Sequence, residues 1–273
     1  MPELPEVEVT IRILRKKIIG ETIKKINVFY PPSFKSSYSL ENIKGKKILD
    51  IQRKGKFLIF FLDQDWVLVG HFRMEGKVYI NSLKECDQIH KHENFRILLA
   101  SEKVFRYYDF RKFGSFSLYK KKNYLEESGL NKIALDPFLI NAYDFFNQVN
   151  KKKIFIKKIL LNQRIISGIG NIYASEILFL SKIHPETFSN NLTFQHIQSI
   201  LKISKKVLKR AIQYGGSSFS SFEALGQKGH FQKKLLVYKK DKKNCSLCNY
   251  PIQKKKIEGR SSYFCLKCQK IIS

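Results

Sequence analysis

Lys56-Phe57-Leu58-Ile59-Phe60-Phe61-Leu62-Asp63-Gln64-Asp65-Trp66-Val67-Leu68-Val69-Gly70-His71 decides the fold of the first half of the chain. Two runs dense in aromatic and β-branched residues flank the polar turn Asp63-Gln64-Asp65 and read as adjacent strands. Six more runs of this kind lie around them, at 22–28, 47–51, 77–80, 95–100, 104–108 and 115–119. That many short strands predict a β-sandwich or barrel. Ahead of them Val7, Ile11, Leu14 and Ile18 recur at helical spacing, which predicts an amphipathic helix ending near Gly20. The pattern changes around 131–141, where Asp136-Pro137 reads as a break. Beyond it, helices are predicted at 154–161, 171–181 and 194–214, the last opening at Thr193 as N-cap and stopping at Gly215-Gly216. Its apolar positions Ile197, Leu201, Leu208 and Ala211 share one face. The expected class is α+β: an N-terminal helix plus antiparallel β-sandwich in residues 1–131, then a helical domain in 132–273 whose tail, 244–273, is short strands.

Composition narrows the function. The 273 residues include 51 Lys and Arg against 23 Asp and Glu, a net charge of +28. A small-molecule enzyme has no use for that imbalance; a polyanionic partner does. The longest apolar run, 57–62, is six residues, against about 20 needed to span a bilayer. Pro2, Glu3, Pro5, Glu6 and Glu8 at the start do not make a signal peptide. A cytoplasmic protein is expected, acting as a monomer with neither a membrane nor a protein partner.

Cys245-x2-Cys248 and Cys265-x2-Cys268 are separated by the 16 residues 249–264. Two such knuckles read as a zinc ribbon holding one structural Zn2+ per chain, since four thiolates leave no open position for water. Lys254, Lys255, Lys256, Arg260, Ser261 and Ser262 fall on the hairpin between them, a composition suited to a phosphate backbone. Cys86 has no partner in this spacing and is expected to be a buried small apolar residue.

Pro2-Glu3-Leu4-Pro5-Glu6 admits two readings. Pro and Glu commonly start a helix. Alternatively, removal of Met1 leaves a secondary amine. An α-amine ionises at about 7.7–8.0, against about 10.4 for Lys, so this amine is the substantially unprotonated one at neutral pH. Attack on a sugar C1′ gives an iminium, an electron sink for elimination, with Glu3 and Glu6 available as acid and base.

With these motifs in order, the chain resembles the formamidopyrimidine-DNA glycosylases, bacterial enzymes that excise 8-oxoguanine and ring-opened purines. The resemblance runs through 2–8, Arg53-Lys54-Gly55-Lys56-Phe57-Leu58, His71-Phe72-Arg73-Met74-Glu75-Gly76, Asp109-Phe110-Arg111-Lys112-Phe113-Gly114, Gly168-Ile169-Gly170-Asn171-Ile172-Tyr173-Ala174-Ser175-Glu176 and the cysteine ribbon, covering essentially the whole chain. It implies base excision from damaged double-stranded DNA through a Schiff base on Pro2, then strand scission by β,δ-elimination, in a bacterial cytoplasm at the nucleoid. It implies a catalytic set of Pro2, Glu3, Lys56 and Arg260, with Glu6 arranging the pocket. Lys56, His71, Asn171 and Arg260 resemble ligands that pinch the phosphates around a flipped nucleotide. Met74, Arg111 and Phe113 resemble the side chains that fill the vacated stack, and 217–232 a loop covering the flipped base. Residues 168–176 become part of a helix–two-turn–helix element, with DNA between the two domains.

Taken singly, His71 is as well read as a structural histidine, and Met74 or Phe113 as core; the joint pattern carries the assignment. Phe110 departs from the family's usual Pro, and Phe72 from an aliphatic residue, which puts the turns bearing Arg111 and Met74 in question. Two rivals stand beside this reading. Endonuclease VIII-like glycosylases, which act on oxidised pyrimidines, typically begin Pro-Glu-Gly-Pro, whereas Leu4 stands here. A non-catalytic zinc-ribbon nucleic-acid binder accounts for the charge but not for the N-terminus.

Overall fold

Helix α1 (Leu4–Ile18) begins with a capping box between Glu3 and Glu6 and has Pro5 in its first turn, a position where a missing N–H costs nothing. Arg15, Lys16 and Lys17 occupy its last turn, where they complement the helix dipole. Leu4, Val7, Ile11, Leu14 and Ile18 are buried, the face that the spacing predicts. In the computed structural model, residues 1–86, 88–218 and 223–273 are described.

Eight strands follow: β1 (Ile23–Val28), β2 (Ile48–Lys54), β3 (Phe57–Leu62), β4 (Trp66–His71), β5 (Lys77–Ser82), β6 (Glu93–Leu99), β7 (Lys103–Tyr108) and β8 (Ser115–Lys120). They form two antiparallel sheets, ordered β1-β6-β7-β5 and β2-β3-β4-β8. Phe60 of one sheet meets Phe105 of the other edge-on at 5.8 Å, and Phe95 meets Phe116 at 5.0 Å, so an aromatic core closes the sandwich. β2 runs past the expected end at Ile51, because Gln52, Arg53 and Lys54 keep the ladder opposite Ile59, Leu58 and Phe57. A short helix, α2 (Tyr124–Glu127), ends this part of the chain.

By contacts the chain divides into one unit of Met1–Asn131 with Tyr214–His230 and another of Lys132–Gln213 with Phe231–Ser273. Residues 214–230, which sequence alone places in the C-terminal half, pack with the first unit for a local reason. Glu6 accepts a hydrogen bond from the Ser217 N–H at 2.7 Å, and Tyr79 donates to Glu223 at 3.2 Å.

The second unit holds α3 (Ala142–Asn150), α4 (Ile156–Leu161), α5 (Asn171–Leu180), α6 (Phe194–Gln213) and a hairpin of β9 (Gln253–Ile257) and β10 (Arg260–Phe264). α3 is not anticipated from sequence. Asn141 caps it by accepting from the Asp144 N–H at 2.8 Å, and Phe145 and Val149 bury its inner face. α6 buries Ile197, Leu201, Leu208 and Ala211 as expected. Among the described residues no helix is long and apolar enough to cross a membrane.

Candidate active site and metal centre

The start of the chain is held unusually tightly. Pro2 and Glu3 are buried. Glu6 Oε2 accepts the Glu3 N–H at 2.8 Å while its Oε1 accepts the Ser217 N–H, so one carboxylate ties the chain start to the segment after α6. Gly216, at φ +80°, lies so close that a Cβ there would stand 2.9 Å from Glu6 Oε1. Burial holds the terminal amine, on Met1 here, below its ordinary pKa. Glu3 and Glu6 oppose the shift, Lys56 adds to it and Glu75 opposes it. An amine near two carboxylates and a second cation is a site for proton exchange and nucleophilic attack.

Lys56 reaches this neighbourhood from the β2–β3 turn and is only 6 % exposed. Arg53 braces the turn, donating to Glu8 of α1 at 3.0 Å and to the Gly55 carbonyl at 3.1 Å. His71 ends β4. Its Nδ1 accepts the Arg73 N–H at 2.9 Å, which leaves the ring proton on Nε2 as a donor. Burial first, then Arg73 and Lys56, push its pKa down to about 3, so the ring is neutral at any working pH.

Two neighbouring turns carry the expected stack-filling residues. Met74 is 40 % and Phe113 53 % exposed, and Arg111 is exposed with its guanidinium 4.9 Å from the Phe113 ring centre. The second turn is built on buried Asp109: Oδ1 accepts the Arg111 N–H at 3.1 Å and Oδ2 the Gly114 N–H at 2.7 Å. Both departures noted in the sequence are absorbed. Phe72 is buried and stacked on Tyr107 at 6.3 Å, and Phe110 lies on the surface, edge-on to His92 at 4.7 Å. Asp109, rather than a proline ring, fixes this turn.

The segment expected to cover the flipped base, 217–232, is pinched at its base, where the His230 N–H donates to the Tyr214 carbonyl at 2.8 Å and the Gly229 N–H to Ser218 Oγ at 2.8 Å. Residues 219–222 lie outside the described residues. Further along, Glu223 accepts from Tyr79, whose phenol is pushed up to about 12 by burial and then by that carboxylate.

Asn171 and Arg260 belong to the second unit. Asn171 opens α5 and donates from Nδ2 to the Ser261 carbonyl at 2.9 Å, next to exposed Arg260 at the start of β10. Buried Lys157 donates to the same carbonyl at 3.2 Å and to Ser262 Oγ, clamping the hairpin. Gln163 shapes the approach to α5, accepting from the Gly168 N–H at 2.8 Å and donating to the Ile169 carbonyl at 2.9 Å. Glu176 accepts the N–H groups of Leu236, Val237 and Tyr238. Sequence reasoning gave Lys157, Gln163 and Glu176 no role. A polar residue inside an apolar helix, as Glu176 is, was the available signal.

Cys245, Cys248, Cys265 and Cys268 bring their sulfurs within 4.8 Å of one another, with Cys245–Cys268 at 3.8 Å and Cys248–Cys265 at 3.4 Å. Tetrahedral zinc thiolates at about 2.3 Å put sulfurs about 3.8 Å apart, so the cluster fits such an ion. Cys86 is buried, as expected.

A helix-plus-sandwich, followed by a helical unit and a four-cysteine hairpin, is the architecture of a class of DNA glycosylases. The family model for the formamidopyrimidine-DNA glycosylase N-terminal domain matches residues 1–116, and that for the formamidopyrimidine-DNA glycosylase H2TH domain matches 133–223. The formamidopyrimidine-DNA glycosylase of Mycoplasma mobile is 41% identical over 275 residues, covering 99% of this chain and 100% of the relative. The Lactococcus lactis enzyme in complex with abasic-site DNA superposes with a TM-score of 0.90 at 36% identity, covering 98% of this chain and 99% of that one. Its complex with DNA containing the ring-opened guanine lesion Fapy-dG gives 0.91 at 36% identity, covering 98% and 100%. The chain belongs to the formamidopyrimidine-DNA glycosylase family, an α+β fold with a helix–two-turn–helix domain.

Proposed function

We propose that this chain excises 8-oxoguanine and formamidopyrimidines from double-stranded DNA and then cuts the strand at the abasic site. The observation that carries this reading is buried Pro2 in a chain start among Glu3, Glu6 and Lys56, in a member of this family. Once Met1 is removed, the Pro2 nitrogen attacks C1′; the C1′–N bond to the base breaks as the bond to Pro2 forms. Glu3 delivers a proton to the ring oxygen, which opens the sugar to an iminium. Loss of a C2′ proton expels the 3′-phosphate, and a second elimination expels the 5′-phosphate. Glu6 holds the chain start and the covering segment in register.

Lys56, neutral His71, the second N–H of Asn171 and Arg260 take the phosphates flanking the extruded nucleotide. Lys56 and Arg260 complete the proposed catalytic set with Pro2 and Glu3. Met74, Arg111 and Phe113 fill the stack, offsetting the few kcal/mol that extrusion costs. On this reading residues 1–131, with 214–230 packed against them, are the catalytic domain and the rest of 132–273 the DNA-binding one. The four thiolates hold one structural Zn2+, which supplies no reaction step. The enzyme acts as a monomer in the bacterial cytoplasm, at the nucleoid.

Single-turnover cleavage of 8-oxoguanine and thymine glycol duplexes, side by side, tests the function. Faster cutting at 8-oxoguanine is expected. The reverse order would favour the pyrimidine-directed sister branch, and tight binding without cutting a non-catalytic binder.

Arg111 sets a second expectation. Its guanidinium has donors only, which suits the O2 and N3 acceptors of cytosine, whereas adenine presents an amine against it. Lesions opposite cytosine are expected to be cut faster than those opposite adenine by roughly 5- to 150-fold, the worth of a good bidentate base contact. Arg111→Ala should flatten that ratio in single-turnover assays. An unchanged ratio would assign the reading of the partner base to another residue.

A further inference from the structure

We infer that Tyr107 is a positioning residue whose hydroxyl locks the Met74 turn and the Arg111–Phe113 turn together, so that the stack-filling side chains enter the duplex as one rigid unit. The inference rests on the reading of Met74, Arg111 and Phe113 given above. Tyr107, one residue before the end of β7, is fully buried and sits with its ring against Phe95 at 5.3 Å and Phe116 at 4.9 Å. A phenylalanine could fill that space equally well. The hydroxyl has a different task, since a polar atom in such a core is costly unless bonded.

That atom lies where both turns pass closest to the core. A Cβ built on Gly76 would stand 2.7 Å from it, and one on Gly114 2.0 Å from it. The Gly114 position also faces the His71 carbonyl at 2.9 Å, so the second turn packs on the strand end from which the first departs. The hydroxyl donates to Asp109 Oδ2 at 3.3 Å, the same oxygen that accepts the Gly114 N–H, while Oδ1 holds the Arg111 N–H. Burial first, then the Asp109 charge, push the phenol far above its ordinary pKa, so it stays a donor.

The turns need such a lock. Arg73 and Lys112, each next to a stack-filling residue, sit at φ 52° and 58°. Non-glycine residues hold that left-handed backbone only where surrounding contacts over-determine it. The first turn is held by the Arg73 N–H on His71 Nδ1 and the Gly76 N–H on the Phe72 carbonyl, the second by Asp109, and the Tyr107 hydroxyl lies against Gly76 and Gly114 between them.

Tyr107→Phe tests the inference, because it keeps the ring and deletes the lock. Four readouts are compared with wild type: thermal melting, cutting of a pre-formed abasic site opposite cytosine, single-turnover excision of 8-oxoguanine opposite cytosine and adenine, and fluorescence of 2-aminopurine placed beside the lesion. We expect abasic-site cutting within about two-fold of wild type, excision opposite cytosine slowed about ten-fold, the size of one lost buried hydrogen bond, and a cytosine-to-adenine ratio moved toward that of Arg111→Ala. The 2-aminopurine signal that follows stack filling should slow with excision. Unchanged excision, ratio and fluorescence would overturn the inference. So would equal losses at the abasic site and the intact lesion, which would mark a general structural role. Met74→Ala and Arg111→Ala are run alongside: if they too leave excision, ratio and fluorescence unchanged, the stack-filling reading itself fails, whereas a change in them without one in Tyr107→Phe removes Tyr107 alone.

Discussion

A residue retained ahead of Pro2 is expected to abolish strand cutting at 8-oxoguanine and at abasic sites alike, by more than about 1,000-fold in single turnover, because an amide nitrogen cannot form the covalent intermediate. DNA binding should persist, since the phosphate ligands are elsewhere. The pH dependence carries the same chemistry. With Met1 in place the terminal amine is held below its ordinary pKa, chiefly by burial, and the Pro2 amine, one residue further in among the same groups, is expected to shift the same way. A lowered pKa means that the unprotonated form dominates from a lower pH upward. The rate of Schiff-base formation at a pre-formed abasic site should therefore rise with pH and level off below about 8, the midpoint of an ordinary α-amine. Stopped-flow measurement of that step between pH 5 and 9 checks it. A rise continuing toward 10 would point to a lysine.

Loss of one cysteine is the second large effect. Four thiolates around one ion contribute folding free energy of the order of 10 kcal/mol, and three do not complete the site. Phe179, Val237, Ile252 and Tyr263 pack around the cysteines, so the cluster underlies the hairpin that bears Arg260. Cys265→Ser should therefore lose zinc and duplex affinity together, measured by metal analysis and by titration of a fluorescent lesion duplex. The affinity loss should exceed about 100-fold and be salt-dependent, since the hairpin's cations act on phosphate. A zinc-free variant binding at wild-type strength would remove the ribbon from the DNA interface.

Much of this was legible in the sequence, for reasons that differ by element. The strands were readable because each is short, apolar and closed by a turn, and β4 (Trp66–His71) was placed to the residue. α1 was readable from a single apolar stripe. α3 escaped because its signal is a cap, Asn141 with Asp144, over only two buried residues. The placement of 214–230 was not legible, since it depends on Glu6 meeting Ser217 across 211 positions of sequence. The candidate site divides in the same way. Pro2, Glu3 and the cysteines announce themselves by residue type and spacing, whereas Lys56 enters only through the family resemblance. Asp109 and Gln163 act by accepting from or donating to backbone in folded turns, and Tyr107 by donating to the Asp109 carboxylate, and no spacing rule reveals that. Phe110 and Phe72 depart from the family at their turns, yet Phe110 lies on the surface beside a turn that Asp109 holds, and Phe72 fills core against Tyr107.

The central claim is that the amino terminus is the nucleophile. The direct measurement is borohydride reduction of the protein on an 8-oxoguanine duplex, followed by tryptic digestion and mass spectrometry of the DNA-linked peptide. The sugar remnant is expected on the Pro2 nitrogen, in the peptide that ends at Arg12. A remnant on Lys56 or any other lysine, with Pro2 unmodified, would contradict it.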